Sequence, residues 1–215
     1  MKYKLAVFDM DGTILNTLED LADSLNHILA ENGYGQRTLE EVRTFVGNGI
    51  RKLIERALPA STGDEEIQRI FQEFLPYYKE HCADKTRPYR GVPQLIRELR
   101  AAGCLTAVVS NKEDTAVQEL CVQYFDGLFD VAVGEKPGIR RKPAPDSVEY
   151  VLERLSVAKD QAVYIGDSEV DIATARNAGL DCIAVKWGFR EEAFLRQQGA
   201  EILVNTPEEI RDIII

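Results

Sequence analysis

Asp9 and Asp11 close an apolar run, Leu5-Ala6-Val7-Phe8, and lead into Gly12 and Thr13. Two carboxylates two residues apart at a strand's end can share one divalent cation, and one of them can also attack a phosphorus atom. On fully extended backbone both point to the same side. Gly12 lets the chain turn sharply against a ligand, and Thr13 adds a hydroxyl and an N–H. The grouping fits phosphoryl transfer through an aspartyl phosphate. Taken alone, it fits equally well an acidic strand end closed by a glycine turn.

Three more groups follow in order. Val108-Val109-Ser110-Asn111-Lys112 is an apolar strand ending in a hydroxyl and an amide. Arg141-Lys142-Pro143-Ala144-Pro145 sets a lysine before a proline-started helix. Ile165-Gly166-Asp167-Ser168-Glu169-Val170-Asp171 is a strand running into a second acidic cluster. Ser110 and the N–H groups after it, Asn111 included, could hold phosphoryl oxygens at a helix start; a strand-end serine is also a common helix cap. Lys142 is a cation for phosphoryl charge and for damping repulsion between substrate and Asp9.

With these four motifs in order, the chain resembles the haloacid dehalogenase superfamily over nearly its whole length, and phosphoglycolate phosphatases within it. The resemblance implies Mg2+ held by Asp9, by the backbone carbonyl of Asp11 and by Asp167. It implies Asp9 as nucleophile and Asp11 as the acid that protonates the leaving alkoxide and later activates water. Thr13, Ser110, Asn111 and Lys142 would bind phosphate. Asp171 would orient metal-bound water or Lys142, or serve only as a helix-start acid facing the dipole. Glu169 is better read as such an acid. Asp11 is useful to an alkoxide leaving group and needless for a halide, which disfavours dehalogenation.

The resemblance extends to a helical cap inserted after the first motif. There Gly47-Asn48-Gly49, with Arg51 one turn into the next helix, forms either an anion-facing substrate loop or a plain turn. Trp187-Gly188-Phe189 also matches a stretch of these phosphatases, or simply packs. Many relatives carry Asp where this chain has Asn16, which bears on substrate choice rather than on the chemical motifs. A phosphosugar mutase, a pyrophosphatase, a phospho-accepting signalling module and an inactive scaffold are the competing readings.

The elements that must position these groups fall into two textures. Between residues 15 and 85 the apolar spacing is helical: Leu18, Leu21, Leu25, Ile28 and Leu29; then Ile50, Leu53, Ile54, Ala57 and Leu58; then Ile67, Ile70, Phe71, Phe74, Leu75 and Tyr78. From about residue 88, short apolar runs alternate with amphipathic helices. Strands are expected at Lys4–Asp9, Leu105–Ser110, Leu128–Gly134, Ala162–Gly166, Cys182–Val185 and Ile202–Val204. Helices are expected to begin near Val92, Asp114, Ala144, Glu169, Arg190 and Pro207. This predicts an α/β fold, a doubly wound parallel sheet of Rossmann type, with a core of residues 1–14 and 86–215 and a helical cap of residues 15–85. Ligands collect at the carboxyl ends of strands in such sheets, where Asp9, Ser110 and Asp167 all fall.

The remaining composition narrows the partners. The net charge of −10 disfavours a nucleic-acid backbone or an anionic membrane as partner. It leaves room for a small phosphorylated metabolite, because a bound cation and a few basic groups can reverse the local field. No apolar run approaches a membrane span and no signal-peptide core is evident, so a cytoplasmic protein is expected. Cys82, Cys104, Cys121 and Cys182 lack metal-binding spacing and read as small buried hydrophobes. His27 and His81 lie in helical stretches away from the acidic motifs. The sequence carries no sign of oligomeric state.

Overall fold

Leu5-Ala6-Val7-Phe8 has no polar face, so as a strand it must be covered on both sides; it forms β1 (Leu5–Phe8), buried throughout. The computed structural model describes residues 1–215, and they divide into two compact units. Met1–Leu15 joins Pro88–Ile215 in one, and Asn16–Arg87 makes the other. After β1 the chain passes through β2 (Leu15–Asn16), α1 (Leu18–Glu31), α2 (Leu39–Phe45), α3 (Ile50–Ala57), α4 (Asp64–His81) and β3 (Arg87–Pro88). It continues through α5 (Val92–Ala101), β4 (Leu105–Glu113), α6 (Asp114–Phe125), β5 (Val131–Glu135) and α7 (Asp146–Leu155). The last part holds β6 (Ala162–Gly166), α8 (Glu169–Ala178), β7 (Asp181–Val185), α9 (Glu192–Gln197), β8 (Ile202–Val204) and α10 (Pro207–Ile214).

The larger unit is the expected α/β fold. Its six-stranded sheet has the order β5-β4-β1-β6-β7-β8, and every recorded pairing within it is parallel. The order reverses at β1, which lies between β4 and β6. Phe8 is level with Val108 on one side and Ile165 on the other. Asp9, Ser110 and Asp167 therefore all lie one or two residues beyond one level of the sheet, and that register is what assembles the site. Leu5, Val7, Val109, Val133, Val148 and Tyr164 belong to the apolar core that fixes it.

Element boundaries depart from expectation where side chains are needed for something else. The strand expected over Leu128–Gly134 is β5, starting at Val131. Leu128 is in a turn, its N–H on the Phe125 carbonyl, and the Phe129 ring packs edge-on against Phe125 and Phe8. The helix expected near Ala144 begins at Asp146, after Pro145 has served as its N-terminal flank, a position that tolerates the missing N–H. The helix expected near Arg190 begins at Glu192, because Arg190 is drawn to Glu169. β4 runs three residues past Ser110, with a break in register between Val109 and Glu113.

In the smaller unit α1 packs on α2 and α4, and α3 packs on α2 and α4. Leu21, Leu25, Ile28 and Leu29 of α1 and Ile67, Ile70, Phe74 and Tyr78 of α4 are buried, as their spacing requires. Thr38 and Glu41 close a reciprocal capping box at the start of α2. Buried Asp20 accepts the Lys85 and Thr86 N–H groups at 2.9 and 2.8 Å, tying the end of this unit to α1. No helix of the chain is long and apolar enough to cross a membrane.

Candidate active site

β1 ends at Phe8, so Asp9, Met10 and Asp11 are loop rather than strand and their side chains do not follow strand alternation. The Met10 carbonyl gathers the N–H groups of Ile14 and Leu15 at 3.0 Å each and that of Thr13 at 3.3 Å. This tight loop separates the two acids. Asp9 is buried, its Oδ1 accepting the Met10 N–H at 2.7 Å and the Lys142 ammonium at 2.8 Å. Asp11, whose side chain is 23% exposed, instead meets the Lys112 ammonium at 3.1 Å. The carboxylates that do converge are Asp9, Asp167 and Asp171, with ligand-capable oxygens within 4.8 Å of one another.

Asp171 is spent on holding this cluster together. Its Oδ2 accepts the N–H groups of Asp167 and Ser168 at 3.2 and 3.1 Å and the Ser168 hydroxyl at 2.6 Å, a capping box at the start of α8. Its Oδ1 accepts the Lys142 ammonium at 2.8 Å and the Tyr164 hydroxyl at 3.1 Å. Lys142 in turn directs its three N–H bonds at Asp9, Asp171 and Tyr164. The Asn111 amide grips the Lys142 backbone from both sides, donating to its carbonyl at 3.1 Å and accepting its N–H at 2.8 Å. The Asn111 side chain is thus occupied with placing the lysine.

Asp167 is shaped by close backbone. Its Oδ2 accepts the Phe189 N–H at 2.6 Å. A Cβ on Gly12, where φ is +85°, would lie 2.3 Å from that oxygen, and one on Gly188 would lie 2.3 Å from the Asp167 Cβ. Only glycine fits at either place. The Trp187 indole donates to the Thr13 carbonyl at 3.0 Å, so Trp187-Gly188-Phe189 steadies both the first loop and Asp167. Thr13 is 1% exposed, and its hydroxyl has no hydrogen-bond partner. Buried Ser110 accepts the Lys112 N–H at 3.1 Å.

The electrostatics follow from three buried acids facing one buried base. Burial and then the Asp171 charge push Asp9 well above the ordinary carboxylate range, against the pull of Lys142. Burial and Asp171 likewise raise Asp167 to about 7. Burial would also raise Asp171, but Lys142, Ser168 and Tyr164 outweigh it and hold that group ionised, below its usual value. Burial opposes the Lys142 charge, yet Asp171 and Asp9 keep it well above the lysine range. The cluster is short of positive charge by at least one group.

The other residues singled out by the sequence have local settings of their own. In the helical unit, Gly47 and Gly49 have φ of +110° and +80°, and Asn48 lies between them in the turn before α3. Arg51 donates to Gln68 at 2.7 Å and pairs with Asp64 at 3.0 Å, both on α4. His27 stacks on Tyr77, and the His81 ring lies tilted against the same tyrosine. All four cysteines are free, and burial pushes the Cys121 thiol up to about 12. The sequence reading missed Lys112, Tyr164, and the roles of Trp187 and the Phe189 N–H. One signal was available: Lys112 lies two residues past Ser110 on extended chain and so shares its side of the strand.

With this geometry in hand, comparison with known proteins is direct. The profile of the haloacid dehalogenase-like hydrolases matches residues 6–185. The chain is 31% identical to the N-acetylmuramic acid 6-phosphate phosphatase of Pseudomonas aeruginosa over 100% of its own length and 96% of that protein. It is 34% identical to the phosphoglycolate phosphatase of Psychrobacter arcticus, covering 92% of this chain and 89% of that one. A Lactobacillus delbrueckii subsp. bulgaricus protein, provisionally named a phosphoglycolate phosphatase, superposes with a TM-score of 0.97 at 43% identity, covering 100% of this chain and 99% of the other. The chain therefore belongs to the haloacid dehalogenase-like hydrolases, beside relatives that are phosphatases.

Proposed function

We propose that this protein hydrolyses a small phosphate monoester, with 2-phosphoglycolate the leading substrate, through an aspartyl phosphate on Asp9. The observation that carries the reading is the buried group at the ends of β1, β4 and β6. It unites Asp9, fixed through Oδ1, with an ammonium at 2.8 Å and an unpartnered hydroxyl on Thr13. Oδ2 of Asp9 is left to attack phosphorus as the P–O bond to the leaving group breaks. Asp11 donates its proton to the departing alkoxide. It then takes a proton from the water that attacks the aspartyl phosphate, releasing inorganic phosphate and restoring Asp9. Thr13, Ser110 and the Asn111 N–H are the donors proposed for the phosphoryl oxygens.

A divalent cation fits the donor set. Three carboxylates face one ammonium, and Asp171 has both oxygens committed. Asp9 and Asp167, with the Asp11 backbone carbonyl, are the proposed ligands of Mg2+, a hard ion suited to such oxygens. Bound there, it would offset the charge that keeps a phosphate dianion from a carboxylate. The Asn16–Arg87 unit is the proposed cap, with Gly47, Asn48, Gly49 and Arg51 the loop that reads the leaving group. Free thiols on all four cysteines support a reducing, cytoplasmic setting.

The relative from P. aeruginosa gives a second reading, a sugar phosphate as substrate. Phosphate release with Mg2+ from 2-phosphoglycolate, N-acetylmuramic acid 6-phosphate, pyrophosphate and nucleoside monophosphates separates the two. Preference for 2-phosphoglycolate supports the first reading and preference for the sugar phosphate the second. Transfer of the phosphoryl group to a sugar, or a phosphoprotein stable to hydrolysis, would replace both with a mutase or a signalling module.

A further inference from the structure

The site contains a second buried lysine that the aspartyl-phosphate scheme does not use. The Lys112 side chain is 4% exposed, and its ammonium lies 3.1 Å from Oδ1 of Asp11. Burying a lysine costs several kcal/mol in lost hydration, whereas an apolar residue on the same strand would cost nothing. Asp11 does not need the pair for burial, since its own side chain is 23% exposed. The backbone makes a specific provision for the contact. The register of β4 breaks between Val109 and Glu113, and the Lys112 N–H turns back onto the Ser110 hydroxyl oxygen. That segment sets Ser110 and aims Lys112 together.

The two lysines divide the two acids between them. Lys142 is committed to Asp9, Asp171 and Tyr164, and Lys112 reaches Asp11. We propose that Lys112 is a positioning residue for proton transfer, fixing Oδ1 of Asp11 so that Oδ2 is presented to the leaving-group oxygen. The inference rests on the phosphatase reading above. In the transfer, the O–H bond on Oδ2 breaks and the leaving oxygen gains that proton as its bond to phosphorus breaks. In the second half-reaction a water proton returns to Oδ2 while the water oxygen bonds phosphorus and the bond from phosphorus to Asp9 breaks. Lys112 keeps its own protons throughout and supplies only the fixed geometry.

A residue acting through Asp11 matters only when the leaving group needs a proton. The test compares kcat/KM for an alkyl phosphate, 2-phosphoglycolate, with that for p-nitrophenyl phosphate, whose phenolate departs without one. Lys112→Met should lower the alkyl value by at least about 100-fold and the aryl value by less than about 5-fold, the range expected for loss of a general acid. Lys112→Arg should recover most of the alkyl loss. In an Asp11→Asn background, Lys112→Met should add less than about 3-fold, because the partner it positions is gone.

Equal losses on both substrates, or no loss on either, would overturn the proposal while leaving the phosphatase intact. A wild-type protein inert toward both would overturn the two together. If Lys112→Met does not fold, Lys112→Arg and Lys112→Gln carry the comparison: leaving-group selectivity must differ between them by more than about 10-fold, or the positioning role is refuted.

Discussion

Replacing Lys142 by methionine removes the one ammonium facing Asp9 and Asp171, each 2.8 Å from it, while keeping most of the volume. Breaking a buried ion pair by deleting one partner costs about 3–5 kcal/mol, because the other partner stays buried and unpaired. Here two carboxylates are stranded, so the upper end of that range applies when both are ionised. At roughly 2–4 °C per kcal/mol for a chain of this size, the melting temperature should fall by about 10–20 °C in chelator near pH 8. The loss is comparable with much of the stability of an ordinary domain, about 5–15 kcal/mol.

The pH dependence of that loss identifies its cause. In the variant the pull of Lys142 on both acids is gone. Asp9 therefore stays raised and rises further, Asp171 moves up from its lowered value, and stability is lost as pH rises above the unfolded reference near 4. Near pH 5 they take up protons and the deficit shrinks. The wild-type lysine cannot produce this trend. Its pKa is raised, so its contribution is whole at every pH below about 10 and lost only above. Thermal unfolding of both proteins in chelator at about pH 5 and about pH 8 makes the measurement. A variant melting within about 2 °C of wild type at the higher pH, or a deficit equal at both, would refute the charge argument.

Three further outcomes are expected. Thr13→Val removes a buried hydroxyl without a partner, so it should leave the melting temperature unchanged or raise it by about 1 kcal/mol equivalent, while weakening inhibition by inorganic phosphate; destabilisation would show that the hydroxyl is satisfied in the free protein. Gly12→Ala forces a Cβ to within 2.3 Å of the Asp167 carboxylate at a φ of +85°, and should cost about 2–4 kcal/mol and at least tenfold in Mg2+ affinity by calorimetry, whereas wild-type values for both would mean that Asp167 moves freely. In chelator, wild-type stability should fall as pH rises from about 4 to about 7, because Asp167 is raised to about 7, and Mg2+ should flatten the slope; a rising slope would contradict that assignment. Asp171, held below the usual value, acts in the opposite sense and only at lower pH.

The sheet was legible because its signal is local. A strand with no polar face must be covered on both sides, and alternation of such runs with amphipathic helices leaves little but a parallel sheet. That Asp9, Ser110 and Asp167 end their runs follows from sequence; that β1 lies between β4 and β6 does not, since strand order is set by packing far along the chain. The direction of Asp11 was unreadable for a smaller reason. Strand alternation would send it with Asp9, but β1 stops at Phe8 and the Met10 carbonyl winds the loop. The side of the strand Lys112 takes could be read from its spacing to Ser110, but its partner Asp11, 101 residues away, could not. The sequence offers the Asn111 N–H to phosphate, but that its side-chain amide closes on a backbone 31 residues away depends on packing no local pattern carries.

Asp171 carries a further consequence through the bonds on its two oxygens. One begins a helix and the other seats Lys142, so folding and charge placement pass through a single side chain. Asp9 is its opposite: buried, pushed toward protonation, and relieved by any neutral replacement of its shape. Selection that relaxes on activity alone would then erase Asp9 first and keep Asp171. A descendant that had ceased to turn over substrate would look, at every position but the first carboxylate, like a working enzyme. Loss of Asp171 would instead be felt in the cell as scarcity of protein, well before it was felt as slowness of reaction.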